Sequence, residues 1–173
     1  MRVNSGPESA ELLGAMNELA ALTDKLEVSE VSAGPDDGAP CVRLVKNGVF
    51  TGLAFHGVPG GHEFTSFILG IYNAAGPGQG LDAGEKAQIE AISRPVKFKV
   101  LVSLSCTMCP DLVTACQRMA SLNPLIEAEV YDLNRFPDLR DKYQIMSVPC
   151  LIINDDKVSF GKKNIAEILK LIA

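Results

Sequence analysis

The run Val96-Lys97-Phe98-Lys99-Val100-Leu101-Val102-Ser103-Leu104-Ser105-Cys106-Thr107-Met108-Cys109-Pro110 decides the fold, because a β-branched apolar stretch delivers a Cys-x-x-Cys straight into a helical pattern. The length and composition of 96–104 suit a buried strand. Pro110 suits the first turn of a helix, where its missing N–H costs nothing, and residues 110–121 carry the helical pattern. A cysteine at a strand-to-helix junction lies near unpaired backbone N–H groups and the positive end of the helix dipole, so its thiolate is favoured. A free thiol of pKa ~8.5 falls in such a setting to roughly 3.5–7.5. Cys106 is therefore read as the attacking nucleophile. Cys109, three residues on and one helical turn deeper on the same face, is read as the resolving thiol.

Working outward, residues 82–93 read as a helix, 126–133 as a strand, 137–143 as a short helix, 150–160 as a hairpin and 164–172 as a final helix. The order from 96 onward is βαβαββα. Upstream, Leu12, Leu13, Met16, Leu19 and Leu22 recur at helical spacing, which predicts a helix over 8–23. A short extended run over 26–31 and a turn over 34–38 follow. Residues 41–52 form a hairpin around Asn47-Gly48, and 62–72 form a second apolar helix that stops at Gly76-Pro77-Gly78-Gln79-Gly80. The segments Ala39-Pro40-Cys41-Val42-Arg43-Leu44-Val45 and Val148-Pro149-Cys150-Leu151-Ile152-Ile153-Asn154 share the order Pro, Cys, apolar run, and each precedes a second strand and a helix. The chain reads as an internal duplication. Its first half opens on a helix, without the strand that begins the second.

Composition narrows the function. The 173 residues include 47% hydrophobic and 21% charged side chains, the balance of a globular protein. A net charge of −5 without a basic run argues against nucleic acid. The longest apolar stretches fall far short of the ~20 residues of a membrane span. The first eight residues do not read as a secretory signal, so a cytoplasmic address is expected. Five cysteines, an odd number, do not form a disulfide framework. A zinc site is the competing reading of Cys106 and Cys109, but there is no second Cys-x-x-Cys, and His56 and His62 sit in the other half with unsuitable spacing. No metal is expected. Cys41, Cys116 and Cys150 are read as buried core, as are Met119 and Met146, with Met108 facing the substrate.

The run Ser103-Leu104-Ser105-Cys106-Thr107-Met108-Cys109-Pro110-Asp111, with Leu122-Asn123-Pro124, Val148-Pro149 and Gly61-His62-Glu63-Phe64-Thr65-Ser66, resembles the N-terminal domain of the alkyl hydroperoxide reductase flavoprotein subunit. The resemblance implies an α/β fold of two tandem thioredoxin-like units sharing a continuous central sheet, the first degenerate: residues 8–80 without a dithiol and 81–173 with it. It further implies a thiol–disulfide oxidoreductase, an electron relay whose redox-active disulfide is Cys106–Cys109. Its partners would be a flavoprotein disulfide reductase, separate or fused, and a peroxiredoxin or thioredoxin-like client, in peroxide detoxification. FAD and NAD(P)H would be bound by the reductase and no cofactor by this chain, which has no Rossmann glycine fingerprint. Pro149 lies where a thioredoxin-like fold carries a cis-proline that presents the backbone of Val148 to an extended substrate; an ordinary proline at a strand start fits as well. Thr107, Met108 and Pro110 complete the substrate-facing surface. Glu63 matches an acidic residue that approaches the dithiol in that family; alone, it reads as charge at a helix N-terminus. Thr-Met stands where the family has His-Asn, which should move the reduction potential. A general thioredoxin- or glutaredoxin-like reductase and a non-catalytic docking module are the alternative readings.

Overall fold

Alternation along β5 (Val96–Val102) sends Val96, Phe98, Val100 and Val102 to one face of the strand, where all are buried. The same face continues through Ala128 and Val130 of β6 (Ile126–Asp132), Leu53 and Phe55 of β4 (Val49–His56), and Val42 of β3 (Cys41–Lys46). These strands belong to a computed structural model that describes residues 1–6, 8–32, 34 and 38–173. The turn expected over 34–38 falls largely outside the described residues.

The remaining elements, in chain order, are β1 (Arg2–Ser5), α1 (Ala10–Ala20), β2 (Ser29–Ser32), α2 (Glu63–Ala75), α3 (Ala83–Glu90), α4 (Cys109–Leu122), α5 (Asp138–Lys142), β7 (Cys150–Ile153), β8 (Lys157–Phe160) and α6 (Ile165–Ile172). One eight-stranded sheet runs in the order β2-β1-β3-β4-β6-β5-β7-β8. β1 and β2 are parallel, β3 and β4 antiparallel, and the parallel pair β4–β6, with Phe55 opposite Val130, joins the two ends of the sheet. Leu12 and Met16 of α1, Phe67 of α2, Leu112, Val113 and Cys116 of α4, and Ile168 of α6 all join the core on the face of Phe98 and Val100. A second, smaller core gathers Leu101, Leu133, Ile145, Cys150 and Ile152 on the opposite face, with Leu139 and Tyr143 packed against it.

The two halves are two tandem thioredoxin-like folds on a continuous sheet, and they repeat in detail. Both Ala39–Pro40 and Val148–Pro149 are cis. In each half the glycine after the second hairpin strand donates its N–H to that proline's carbonyl, Gly57 to Pro40 at 2.7 Å and Gly161 to Pro149 at 2.9 Å. Each hairpin turns through an asparagine of positive φ, Asn47 and Asn154. One expectation is corrected. The first half does have its opening strand, β1, which lies between β2 and β3. Only Val3 marks it in the sequence as apolar, and its four residues are held by partners more than twenty residues away. The first unit is degenerate in its thiols, not in its strand count.

Candidate active site

Cys106 and Cys109 form a disulfide with Cα atoms 5.5 Å apart, inside the usual range for such a bridge. α4 starts at Cys109 with Met108 as N-cap, and Pro110 occupies its first turn. Cys106 therefore stands in the preceding turn, where its N–H donates to Ser103 O at 2.9 Å, rather than on the helix face shared with Cys109. This corrects the helical spacing expected for the pair. It also separates the thiols by exposure: Cys106 is half-buried and Cys109 is fully enclosed in the core. A nucleophile must be reachable, whereas a resolving thiol need only reach the nucleophile.

The cis Val148–Pro149 bond brings the Val148 carbonyl to 4.0 Å from Cys106 Sγ. Thr107 and Met108 between the cysteines are exposed, and Pro110 and Val148 are half-buried. Met146, expected in the core, is 84% exposed and Met108 50% exposed. Composition suggested core because methionine is apolar, but the stretch before the cis-proline lies on the surface beside the dithiol.

Glu63 is the first residue of α2 and has no exposed surface. The start of α2 is tied to the dithiol loop by the His62 N–H, which donates to Leu104 O at 3.0 Å. Gly61 makes that approach possible: its φ is +53°, and a Cβ there would fall on the Leu104 carbonyl. Ser66 Oγ donates to Glu63 Oε2, while Oε1 is buried without a hydrogen bond. Burial raises the carboxyl to about 7, and the Ser66 hydrogen bond only partly opposes this. The helix dipole favours the carboxylate by about 0.3–1 kcal/mol, which is too little to outweigh complete desolvation.

The other cysteines are buried, as expected from the sequence. Burial pushes the Cys116 thiol up and that of Cys150 to about 11, with Lys163 opposing in both cases. Cys41 Sγ lies 3.7 Å from His56 Nε2, and His56 stacks on Tyr131 with ring centroids 3.9 Å apart. Glu129 accepts from the Tyr131 hydroxyl at 2.8 Å and lies 3.7 Å from His56. Burial opposes its ionisation, but His56, Tyr131 and Lys97 together hold its carboxyl down at about 2. No contiguous pattern marks this cluster, because three strands supply it. Among the described residues no group of three or more His, Cys, Asp or Glu side chains is placed to hold a metal ion. Nor is any helix of the described residues long and apolar enough to cross a membrane.

Known proteins share this fold. The thioredoxin domain family matches residues 96–173. A solved structure of the N-terminal domain of the alkyl hydroperoxide reductase AhpF from Enterococcus faecalis superimposes with a TM-score of 0.90 at 36% identity, covering 99% of this chain and 87% of that one. The chain belongs to the family of these N-terminal domains. The AhpF protein of Pseudomonas aeruginosa is 37% identical over 170 residues, which is 98% of this chain and 32% of the relative. The chain thus spans about a third of the length of that relative. A protein disulfide oxidoreductase from Aeropyrum pernix shares the fold, with a TM-score of 0.79 at 23% identity over 99% of this chain and 81% of that one. Fold, family and disulfide together make the chain a thiol–disulfide oxidoreductase.

Proposed function

We propose that the chain is a cytoplasmic dithiol electron relay, taking electrons from a flavoprotein disulfide reductase, separate or fused, and delivering them to a peroxiredoxin or another protein disulfide. In this reading residues 81–173 carry the chemistry and residues 8–80 are the partner half without a dithiol. FAD and NAD(P)H belong to the reductase. The observation that carries the proposal is the half-buried Cys106 bonded to an enclosed Cys109 and facing the Val148 carbonyl.

In the reduced chain the Cys106 thiolate attacks one sulfur of the client disulfide. A Cys106–client disulfide forms, and the other client sulfur leaves as a thiolate and takes a proton. Cys109, deprotonated in turn, attacks Cys106 Sγ, releases the second client thiol and closes Cys106–Cys109. Two electrons have passed to the client, and the reductase restores the dithiol. Val148 offers its backbone to an extended client segment beside Pro149. Thr107, Met108 and Pro110 line its path, and Glu63 exchanges a proton with the dithiol.

Titration of the purified chain in dithiothreitol redox buffers, with free thiols trapped and counted by mass, tests the couple. Two thiols should disappear together at one potential, and that paired step should be missing from Cys106→Ser and Cys109→Ser. Independent loss of single thiols would refute the relay and favour a docking module. The exposed Met108 and Met146 give the client an apolar landing. The double substitution Met108→Ser, Met146→Ser is expected to raise KM for a protein disulfide by at least about tenfold, since burying even one such side chain contributes about 1.5–3 kcal/mol, and to leave a small disulfide's turnover unchanged. Equal loss on both substrates would place the methionines in the fold rather than at the client.

A further inference from the structure

A cavity of about 830 Å³ opens along the outer side of α4, between α2, α3 and the β8–α6 connection. Thr114 and Arg118 of α4, Thr65 of α2, Glu85 of α3 and Lys162 and Lys163 from the connection lie in its wall. The relay uses none of these side chains.

Its three cations and three carboxylates balance in number but are not all paired. Lys162 is matched by Asp111 at 3.4 Å. Glu167, also in the wall, has its carboxylate taken up by the Asn164 N–H at 2.8 Å in the capping box of α6. Among the described residues neither Arg118 nor Lys163 has a carboxylate within salt-bridge distance. Lys163 Nζ donates only to the backbone carbonyls of Phe160 and Gly161 among the described residues. Arg118 Nη1 has Ser121 Oγ at 3.4 Å, at the outer limit of a hydrogen bond, and its Nε is buried without a partner. An unpaired buried donor on a charged group is costly, and native structures rarely leave one without a reason.

The guanidinium is also closely approached by backbone. Gly78, at φ +75°, lies so close that a Cβ there would overlap Arg118 Nη1. The loop carrying Gly78 is clamped by two hydrogen bonds, Asn73 Nδ2 to Gln79 Oε1 at 2.9 Å and the Gln79 N–H to Asn73 Oδ1 at 2.8 Å. A guanidinium without a carboxylate partner, with a second cation in the same wall, matches the planar two-oxygen edge of an acid group.

We infer that this cavity is a binding site for a small anion carrying a carboxylate or phosphate group, gripped by Arg118 and supported by Lys163. The cavity reaches the dithiol region at Pro110 and Ser66, but its charged wall is distinct from the thiols and anion binding there does not depend on the relay. The test is a nitrogen-15 NMR titration of the whole chain, following the Arg118 Nε–H with inorganic phosphate in one arm and succinate in the other, at ionic strength held constant with sodium chloride. Saturable shifts in either arm are expected, and the arm that saturates tells phosphate from carboxylate. Arg118→Gln should weaken binding about tenfold or more, as loss of a charged hydrogen-bonded pair does. Lys163→Gln should weaken it by a smaller factor, and disulfide exchange should be unchanged in both. Shifts no larger than chloride alone produces would overturn the site, as would equal affinity in the wild-type chain and in a folded Arg118→Gln or Lys163→Gln variant.

Discussion

Cys106→Ser is expected to lower disulfide exchange by about three orders of magnitude or more, the loss that follows removal of a covalent nucleophile, while Cys109→Ser should stop the reaction one step later. The difference follows from exposure. Cys106 is half-buried in a turn outside α4, so a client sulfur can reach it, whereas Cys109 is enclosed by the core at the first residue of the helix. With Cys109 replaced, the Cys106 thiolate still attacks, but nothing inside the protein displaces the client. One equivalent of an aryl disulfide should then release one equivalent of thiolate in a burst and leave its other half on Cys106, detectable as a mass increase. Cys106→Ser should show neither burst nor adduct at neutral pH, because Cys41, Cys116 and Cys150 are buried and the last two are pushed up toward the thiol form. A burst of equal size in Cys106→Ser would exchange the assigned roles of the two cysteines.

What the sequence revealed was local. The strand leading into Cys106, the hairpin over 41–52 and the closing helix from Asn164 are written in contiguous residues, and their elements form where periodicity and turn chemistry put them. The duplication was visible for the same reason: Pro40-Cys41 and Pro149-Cys150 each begin a strand, and both prolines are cis with the same glycine N–H on their carbonyls. β1 was missed because four residues with one buried apolar side chain carry no pattern. Val3 becomes a strand residue only by pairing with Glu30 and Val42.

The features hidden from the sequence are those that distant segments make together. Met146 looked like core because it is apolar, yet no other element covers it. Arg118 carries no local signal of its surroundings, yet Gly78 in the loop after α2, forty residues earlier, lies against its guanidinium. Glu63 is the sharpest case. At a helix N-terminus an acid normally remains charged and solvated, but this one is fully buried where Gly61 and His62 tie the start of α2 to Leu104.

That burial sets the second large expectation, a pH dependence in both stability and rate. Glu63 titrates at about 7 in the folded chain against an ordinary value of 4.5, with desolvation as the leading cause and the Ser66 hydrogen bond opposing it. Between those values the folded chain holds a proton that the unfolded chain has released. Stability is therefore fully present below about 4.5, falls as pH rises through the folded value, and levels off above it. The shift corresponds to about 3 kcal/mol, so Glu63→Gln, which keeps the shape without the charge, should be more stable than the wild-type chain above pH 8 by roughly 2–3 kcal/mol. Denaturant unfolding at pH 5 and pH 8.5 measures this directly. If the same carboxylate accepts a proton from the dithiol, the exchange rate should rise with a limb near pH 7 that Glu63→Gln removes, with a loss of about 100-fold. Removal of the stability slope with an unchanged rate profile would leave Glu63 a buried structural carboxyl with no part in proton transfer.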